Sequence, residues 1–388
     1  MNRRQFLQAA PAFMAKRGQR MIIFLIDGLG EDYILASSMP VLNSWGNQGI
    51  RKVVGDVMPS VTNANNASVC CGCWPEDHGI TANFFLDPAT GKEMYMEDAS
   101  LVLRPTLFEK LGGQGIRSAL LSSKKKTVSL LPRGASLVLS AEVPSAEWIQ
   151  RLGPAPDIYS PEINHWLLQA AVWILRNRPE IGLLYIHTTD YPMHMWPPEA
   201  TESKTHLARL DAGFGEIGRA APDAGILLTA DHGMNFKSRC WDLEKACAAR
   251  GVVLRASISA EQDKYLKHHR GFGGTAWVYL KSPADVDRAT RVMSKLPGIA
   301  EVLTRQEATR RFRTMPSRIG DLVVLGDRET VFGGLDTESE SLPAEYRSHG
   351  STAEAKVPLV VFNATGAPAA DYFQSNVDLA RWLHSNLR

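Results

Sequence analysis

The sequence predicts an α/β protein with a largely parallel central sheet flanked by helices, carrying a smaller inserted α+β cap. Three observations predict it. Short apolar runs recur, and each stops at an acidic or polar cluster, the pattern of strands buried on both faces. Amphipathic helical stretches lie between those runs, and apolar strands alternating with such helices build parallel sheets covered on both sides. The stretch 240–341 then breaks the rhythm with a strand and helix series of its own.

The first strand is Met-Ile-Ile-Phe-Leu-Ile at 21–26, which stops at Asp27-Gly28. An acid there is presented at the C-terminal edge of the sheet, where ligands of such sheets collect. The segment 106–112 has helical spacing, and the strand-like 117–121 runs into Ser122-Ser-Lys124-Lys125-Lys126. A helix over 161–176 leads to a strand at 182–186 that ends in His187-Thr-Thr-Asp190. A helix over 205–217 leads to a strand at 225–229 that ends in Ala230-Asp231-His232-Gly233. Within 240–341, strands at 276–280, 300–303 and 321–325 alternate with helices at 285–295 and 306–312. This series sits between two halves of the polar cluster, and a cap so placed controls substrate access in many enzymes. A further strand follows at 357–362. The expected organisation is an N-terminal extension over 1–20, a catalytic core over 21–239 and 342–388, and the cap over 240–341, with no internal repeat.

A length of 388 residues suits two domains, or one large domain with an insertion. Lys+Arg 43 against Asp+Glu 41 leaves a net charge of +2, which excludes a basic nucleic-acid clamp and an acidic solvating chain. Five cysteines, an odd number, argue against a disulfide framework, and Cys70, Cys71 and Cys73 lie too close together to pair easily. That favours a reducing, cytoplasmic compartment. The periplasmic alternative rests on Asn2-Arg3-Arg4-Gln5-Phe6-Leu7, which resembles the twin-arginine part of a bacterial export signal. Gln8 and Pro11 interrupt the apolar stretch behind it. No run reaches the ~18 apolar residues of a membrane span. Nucleic acid and membrane are therefore not expected partners, a homodimer is left open, and the small anionic substrate expected of this chain is what its motifs imply.

The chemistry-bearing residues are Asp190 and His194, Asp231 and His232, Asp27 upstream and His349 downstream. Carboxylates and neutral imidazoles are the ligands zinc accepts, and two such ions about 3.5–4 Å apart form a clamp for in-line displacement at phosphorus. Singly, an acid after a strand is a helix cap and a histidine a packing residue. In combination they read as metal ligands. Between Asp27 and Asp190 lies Thr62, a hydroxyl that a metal can activate without a histidine base. At a helix start it would also have backbone N–H groups aimed at an anion. The bland alternative is an ordinary helix N-cap.

Asp27-Gly, Pro59-Ser-Val-Thr62-Asn, Pro75 to His78-Gly-Ile with Asn83, Thr189-Asp190 to His194, Thr229-Ala-Asp231-His232-Gly-Met, and His349-Gly with Val357-Pro resemble the alkaline phosphatase superfamily. Within it they resemble the nucleotide pyrophosphatase/phosphodiesterase branch, and there the phosphonoacetate hydrolases. The motifs run in order from 21 to about 362. The resemblance implies an alkaline-phosphatase-like core and two zinc ions per chain. Asp190, His194 and His349 would hold one ion, and Asp27, Asp231, His232 and Thr62 the other. It implies that Thr62 is the nucleophile, passing through a phosphoryl-threonine, and that Asn83 donates to a phosphoryl oxygen. Sulfatases are set aside because Asp77 in Cys73-Trp-Pro75-Glu-Asp77 stands where their motif needs Arg, and cofactor-independent phosphoglycerate mutases because they carry Ser at the nucleophile.

Cleaving a C–P bond expels a carbanion, and in phosphonoacetate the neighbouring carboxylate takes up that charge if cations hold it. Lys124 and Lys126 match the lysines with which the hydrolases hold that carboxylate, although a lysine run is also what a solvated face looks like. Asn63-Ala-Asn65-Asn66 matches their asparagine-rich segment, while Cys70-Cys-Gly-Cys73 departs from it. The cysteines read as buried helix packing rather than a thiolate site. The expected function is a dizinc hydrolase releasing acetate and phosphate from phosphonoacetate. The alternatives are a nucleotide pyrophosphatase/phosphodiesterase acting on phosphate diesters, and a non-catalytic metal-binding module.

Overall fold

The computed structural model describes residues 19–265, 267 and 270–386, so the expectation for 1–20 falls almost wholly outside the described residues, as do His268 and His269. A 7-stranded sheet runs in the order Ile50–Gly55, Lys356–Phe362, Gly225–Thr229, Met21–Leu25, Ile181–His187, Arg117–Ser122, Leu137–Ser140. All strands point the same way except Lys356–Phe362, which is antiparallel to both of its neighbours. The first strand lies at the centre and is buried throughout, as its uninterrupted apolar run requires.

Both faces of the sheet are covered. Phe24 meets Phe214 of the helix Thr201–Ala220 edge to face, with ring centroids 5.0 Å apart. Tyr185, one residue out of step with Phe24 in the register, meets Phe108 of the helix Leu107–Gly112 from the other side at 6.0 Å. Burying a side chain of this size contributes about 1.5–3 kcal/mol. The helix Glu162–Asn177 starts one residue from its expected position, while Thr201–Ala220 is longer at both ends than its periodicity suggested.

A second, antiparallel 4-stranded sheet has the order Leu254–Ser259, Thr275–Leu280, Leu322–Gly326, Ile299–Thr304, with helices at Val286–Met293 and Arg305–Phe312. The strand Leu254–Ser259 went unread in the sequence; the others lie where the cap was expected. Its side chains alternate between two apolar clusters. Ala276, Val278, Leu322 and Val324 pack with Trp241, Ala289 and Met293 in a core of the second sheet's own. Ile258, Trp277, Tyr279, Val323 and Leu325 join the cluster that contains Phe24 and Tyr185. The second sheet therefore shares its inner face with the central core.

Candidate active site

Register places the site. Leu25 pairs with both His187 and Thr229, and Ser122 pairs with His187, so four strand ends are level. Asp27, Asp231, Asp190 and Lys124 follow those ends within a few residues. Asp27 is anchored through its backbone N–H, which donates to Thr188 Oγ1 at 2.9 Å, and Asp231 Oδ1 accepts from Gly28 N at 3.1 Å. Asp190 opens the short helix Tyr191–Met195, which sets His194 one turn away, with Nε2 at 3.0 Å from Asp190 Oδ2.

The three candidate ligand histidines share one arrangement. His194 Nδ1 lies 2.8 Å from the carbonyl of Arg347, His232 Nδ1 2.9 Å from that of Gly233, and His349 Nδ1 2.7 Å from that of Ser60. A carbonyl only accepts, so each Nδ1 carries a proton, and Nε2 is the atom that turns a lone pair inward when the ring is neutral. There Nε2 of His232 is 3.4 Å from Asp27 Oδ1, and that of His349 is 3.8 Å from Asp190 Oδ2. Lone pairs facing carboxylate oxygens repel unless a cation or proton lies between them. Asp27 Oδ1 and Asp231 Oδ2 are buried without a hydrogen-bond partner. This is the donor set and outer support that a divalent metal takes, so the residues present fit a divalent metal.

Two groups gather three donor atoms within 4.8 Å: Asp190, His232 and His349, and Asp27, His187 and Asp231. His187 thus enters a set from which the sequence reading, treating it as a packing residue, left it out. Its Nδ1 faces Ser122 Oγ at 2.9 Å and its Nε2 faces Asp27 Oδ2 at 3.3 Å. Burial pushes the His187 and His232 pKa values down, but the surrounding carboxylates outweigh it and raise both. Burial together with the neighbouring His232 and His194 holds His349 well below the ordinary histidine value.

Thr62 is the first residue of the helix Thr62–Cys71; the N-cap position is held by Val61, which makes no side-chain cap, so Thr62 is not the N-cap. Its hydroxyl lies 3.4 Å from His232 Nε2 and is almost fully buried. The asparagines behind it fix the helix. Asn65 accepts from Val57 N at 2.8 Å and donates to Val57 O at 2.9 Å, while Asn66 donates to Thr62 O at 3.0 Å and accepts from Tyr185 Oη at 3.1 Å. Asn83 Oδ1 accepts from Asn63 N at 2.9 Å, which brings its amide beside Thr62. That amide donates to Glu261 Oε2 at 3.0 Å.

The lysine run is not a solvated face. Lys125 is exposed, but Lys124 and Lys126 are 2% and 1% exposed. Lys124 Nζ bridges Asp27 Oδ2 and Asp190 Oδ1 at 2.7 Å each, and Lys126 pairs with Asp263. Burial disfavours both charges, but the facing carboxylates prevail and raise both pKa values. Glu261, Asp263 and Tyr265 come from the loop after the strand Leu254–Ser259, and no local pattern marked them. Glu261 Oε1 lies 3.1 Å from His349 Nε2, and burial first, then Asp263, pushes its carboxyl up to about 8. Tyr265 lays its ring 6.0 Å from Lys124 Nζ and 5.6 Å from Lys126 Nζ.

The cysteines stay outside this chemistry. Cys70 and Cys71 are buried and Cys73 partly so, all free thiols, with burial pushing Cys70 up to about 12 and Cys73 to about 11. Cys70 and Cys71 end the helix that Thr62 begins, and Cys73 follows its C-cap Gly72.

The model of the type I phosphodiesterase / nucleotide pyrophosphatase family matches residues 21–352. Among curated relatives, an uncharacterised pyrophosphatase/phosphodiesterase of Schizosaccharomyces pombe is 24% identical over 222 residues, 55% of this chain and 44% of the relative. Ectonucleotide pyrophosphatase/phosphodiesterase family member 1 of Mus musculus is 25% identical over 239 residues, 55% of this chain and 24% of the relative. The chain thus spans less than half the length of these relatives. Among solved structures, phosphonoacetate hydrolase from Sinorhizobium meliloti 1021 in complex with phosphonoacetate is 28% identical, with a TM-score of 0.85 over 95% of this chain and 96% of that one. Murine ectonucleotide pyrophosphatase/phosphodiesterase 5, at 16% identity and a TM-score of 0.70 over 95% of each chain, shares the fold. No described helix is long and apolar enough to cross a membrane.

Proposed function

This chain belongs to the type I phosphodiesterase / nucleotide pyrophosphatase family, and from that premise we propose that it hydrolyses phosphonoacetate to acetate and phosphate. The observation that carries the reading is the pair of buried lysines, Lys124 and Lys126, set directly beside the candidate metal ligands. A phosphodiesterase needs a nucleoside pocket; cationic groups buried at the strand ends suit a small dianionic substrate with a carboxylate.

Asp190, His194 and His349 would hold one zinc, and Asp27, Asp231 and His232 with Thr62 the other; His187 stands beside the second set. Such ions, when bound, ionise the threonine and a water and draw charge from the phosphoryl oxygens. Thr62 Oγ1 attacks phosphorus while the C–P bond breaks, and the electron pair passes into the carboxylate end, held by Lys124 and Lys126, as an enediolate that then takes a proton. The helix beginning at Thr62 directs its N-terminal amides toward the phosphoryl group. Asn83 offers its amide to a phosphoryl oxygen, exchanging its contact with Glu261. Water then cleaves the phosphoryl-threonine, releasing phosphate and restoring the hydroxyl. The free thiols suit a reducing, cytoplasmic compartment, and residues 240–341 act as the cap, contributing Glu261 and Asp263.

The curated relatives favour one other reading, a phosphodiesterase or nucleotide pyrophosphatase using the same ligands and Thr62. Phosphate release from phosphonoacetate, other phosphonates and nucleotide diesters, each with and without chelator, separates the two. Faster turnover of the diesters than of phosphonoacetate overturns the first reading.

A further inference from the structure

Away from the strand ends, the first turn of Glu162–Asn177 faces the first turns of Thr201–Ala220 across a cavity of about 340 Å³. Glu162 and His165 reach it from one helix, and Glu202 and His206 from the other. The spacings, three residues and four, put each acid and its histidine on one helix face. Two helices that each offer a carboxylate and an imidazole to a shared gap form a donor set for a borderline divalent cation.

The imidazoles are already gathered. His206 Nδ1 is 3.3 Å from His165 Nε2, with ring centroids 5.1 Å apart and planes at 55°. That separation is at the long end for a hydrogen bond. Two nitrogens bound at ~2.05 Å to a tetrahedral zinc are separated by ~3.3 Å. His206 is 3% exposed, and its other nitrogen, Nε2, is buried with no partner. Burial, aided by Arg209, lowers the pKa of both rings, so they are neutral, the form that ligates.

We propose that this cleft is a further metal site, binding Zn²⁺ through His165 Nε2 and His206 Nδ1, with Glu162 or Glu202 completing the shell. Both carboxylates are exposed and would have to turn toward the imidazoles: Glu162 is half exposed and pairs with Arg209 at 3.0 Å, a contact that metal binding would exchange. Asn164 links the site to the catalytic loops. Asn164, beside His165, accepts from Thr189 N and from Ser123 Oγ at 2.8 Å each and donates to Thr189 O at 2.9 Å, so a bound ion would stiffen the supports of Asp190 and Lys124.

The test measures zinc per chain on the full-length protein after dialysis against micromolar zinc, together with the histidine ring resonances. Wild type is expected to carry about one zinc per chain more than His165→Ala or His206→Gln, both of which keep their rate within about twofold. Asp231→Asn, in the catalytic cluster, loses rate yet keeps the zinc-dependent shift of the His165 and His206 resonances. If His206→Gln fails to fold, His165→Ala, at the cleft's rim, and the double change Glu162→Gln with Glu202→Gln carry the comparison. Equal zinc content in wild type and the folded variants, or zinc binding that leaves those two rings unmoved, overturns the proposal.

Discussion

The imidazole rings of His232 and His349 stack face to face, with centroids 3.4 Å apart and planes at 10°. They lie more than a hundred residues apart and meet where Arg347–Ser348 pairs with Asn235–Phe236 and the antiparallel strand Lys356–Phe362 lies beside Gly225–Thr229. Each ring fixes the other's plane. His349→Ala is therefore expected to cost more than one ligand. Metal affinity should fall beyond the ~10–100-fold that loss of a mere supporting partner costs, and His232 should lose its orientation. Metal titration of the variant checks this, and unchanged stoichiometry and affinity would count against it.

Thr62→Ala should remove turnover by about 10⁴–10⁶-fold while leaving metal content unchanged, because the remaining donors of each group are untouched. Mass spectrometry of acid-quenched wild type should show a phosphoryl adduct on Thr62 that the variant lacks. A variant with wild-type rates sinks the nucleophile assignment.

Lys126→Ala would strand Asp263 as a lone buried charge, so the informative variant is Lys126→Met with Asp263→Asn. It should lower kcat/KM for phosphonoacetate about 100-fold more than for p-nitrophenyl phosphodiesters. Equal losses on both substrates would show that the pair is only structural.

Chelation leaves buried carboxylates facing bare lone pairs. The apoprotein should melt about 3–5 °C lower than the metal-loaded chain, and zinc should restore the difference. Identical melting curves would argue against the metal centre.

A separate pH effect follows from His384, whose Nε2 faces the carbonyl of Cys70 at 3.1 Å. Burial, with Lys110 nearby, lowers its pKa from 6.5 to about 4. The unfolded chain thus binds more protons than the folded one between those values. Stability is complete above about pH 6.5 and falls as pH drops toward 4, by up to about 3 kcal/mol for the 6.5 − 4 = 2.5 unit gap. Denaturant melts of His384→Gln between pH 7 and 4 should show a shallower acid limb; a parallel limb would contradict the assignment.

Much of the site was legible because its ligands sit where strands end, and strand ends announce themselves as an apolar run meeting an acid. Asp27, Asp190 and Asp231 were found in that way. His187 was passed over because one histidine at the end of a run looks like packing until its neighbour across the sheet is known. Glu261 and Asp263 were invisible for a stronger reason. They lie in a loop with no periodicity, and their meaning comes from Lys126 and His349, more than a hundred and nearly ninety residues away. The reversed direction of Lys356–Phe362 is likewise a property of pairing, which an apolar run does not encode.

The inner face of the inserted sheet, with Trp277, Tyr279 and Val323 in the same apolar mass as Phe24, bears on how this family diversifies. A segment joined to its host only at its two ends can be exchanged between relatives like a cassette. Here a graft of a foreign 240–341 would have to match the host's central packing as well as its loops. New substrate preferences should therefore arise by point changes in the 260–265 loop, with the sheet beneath it inherited as part of the frame.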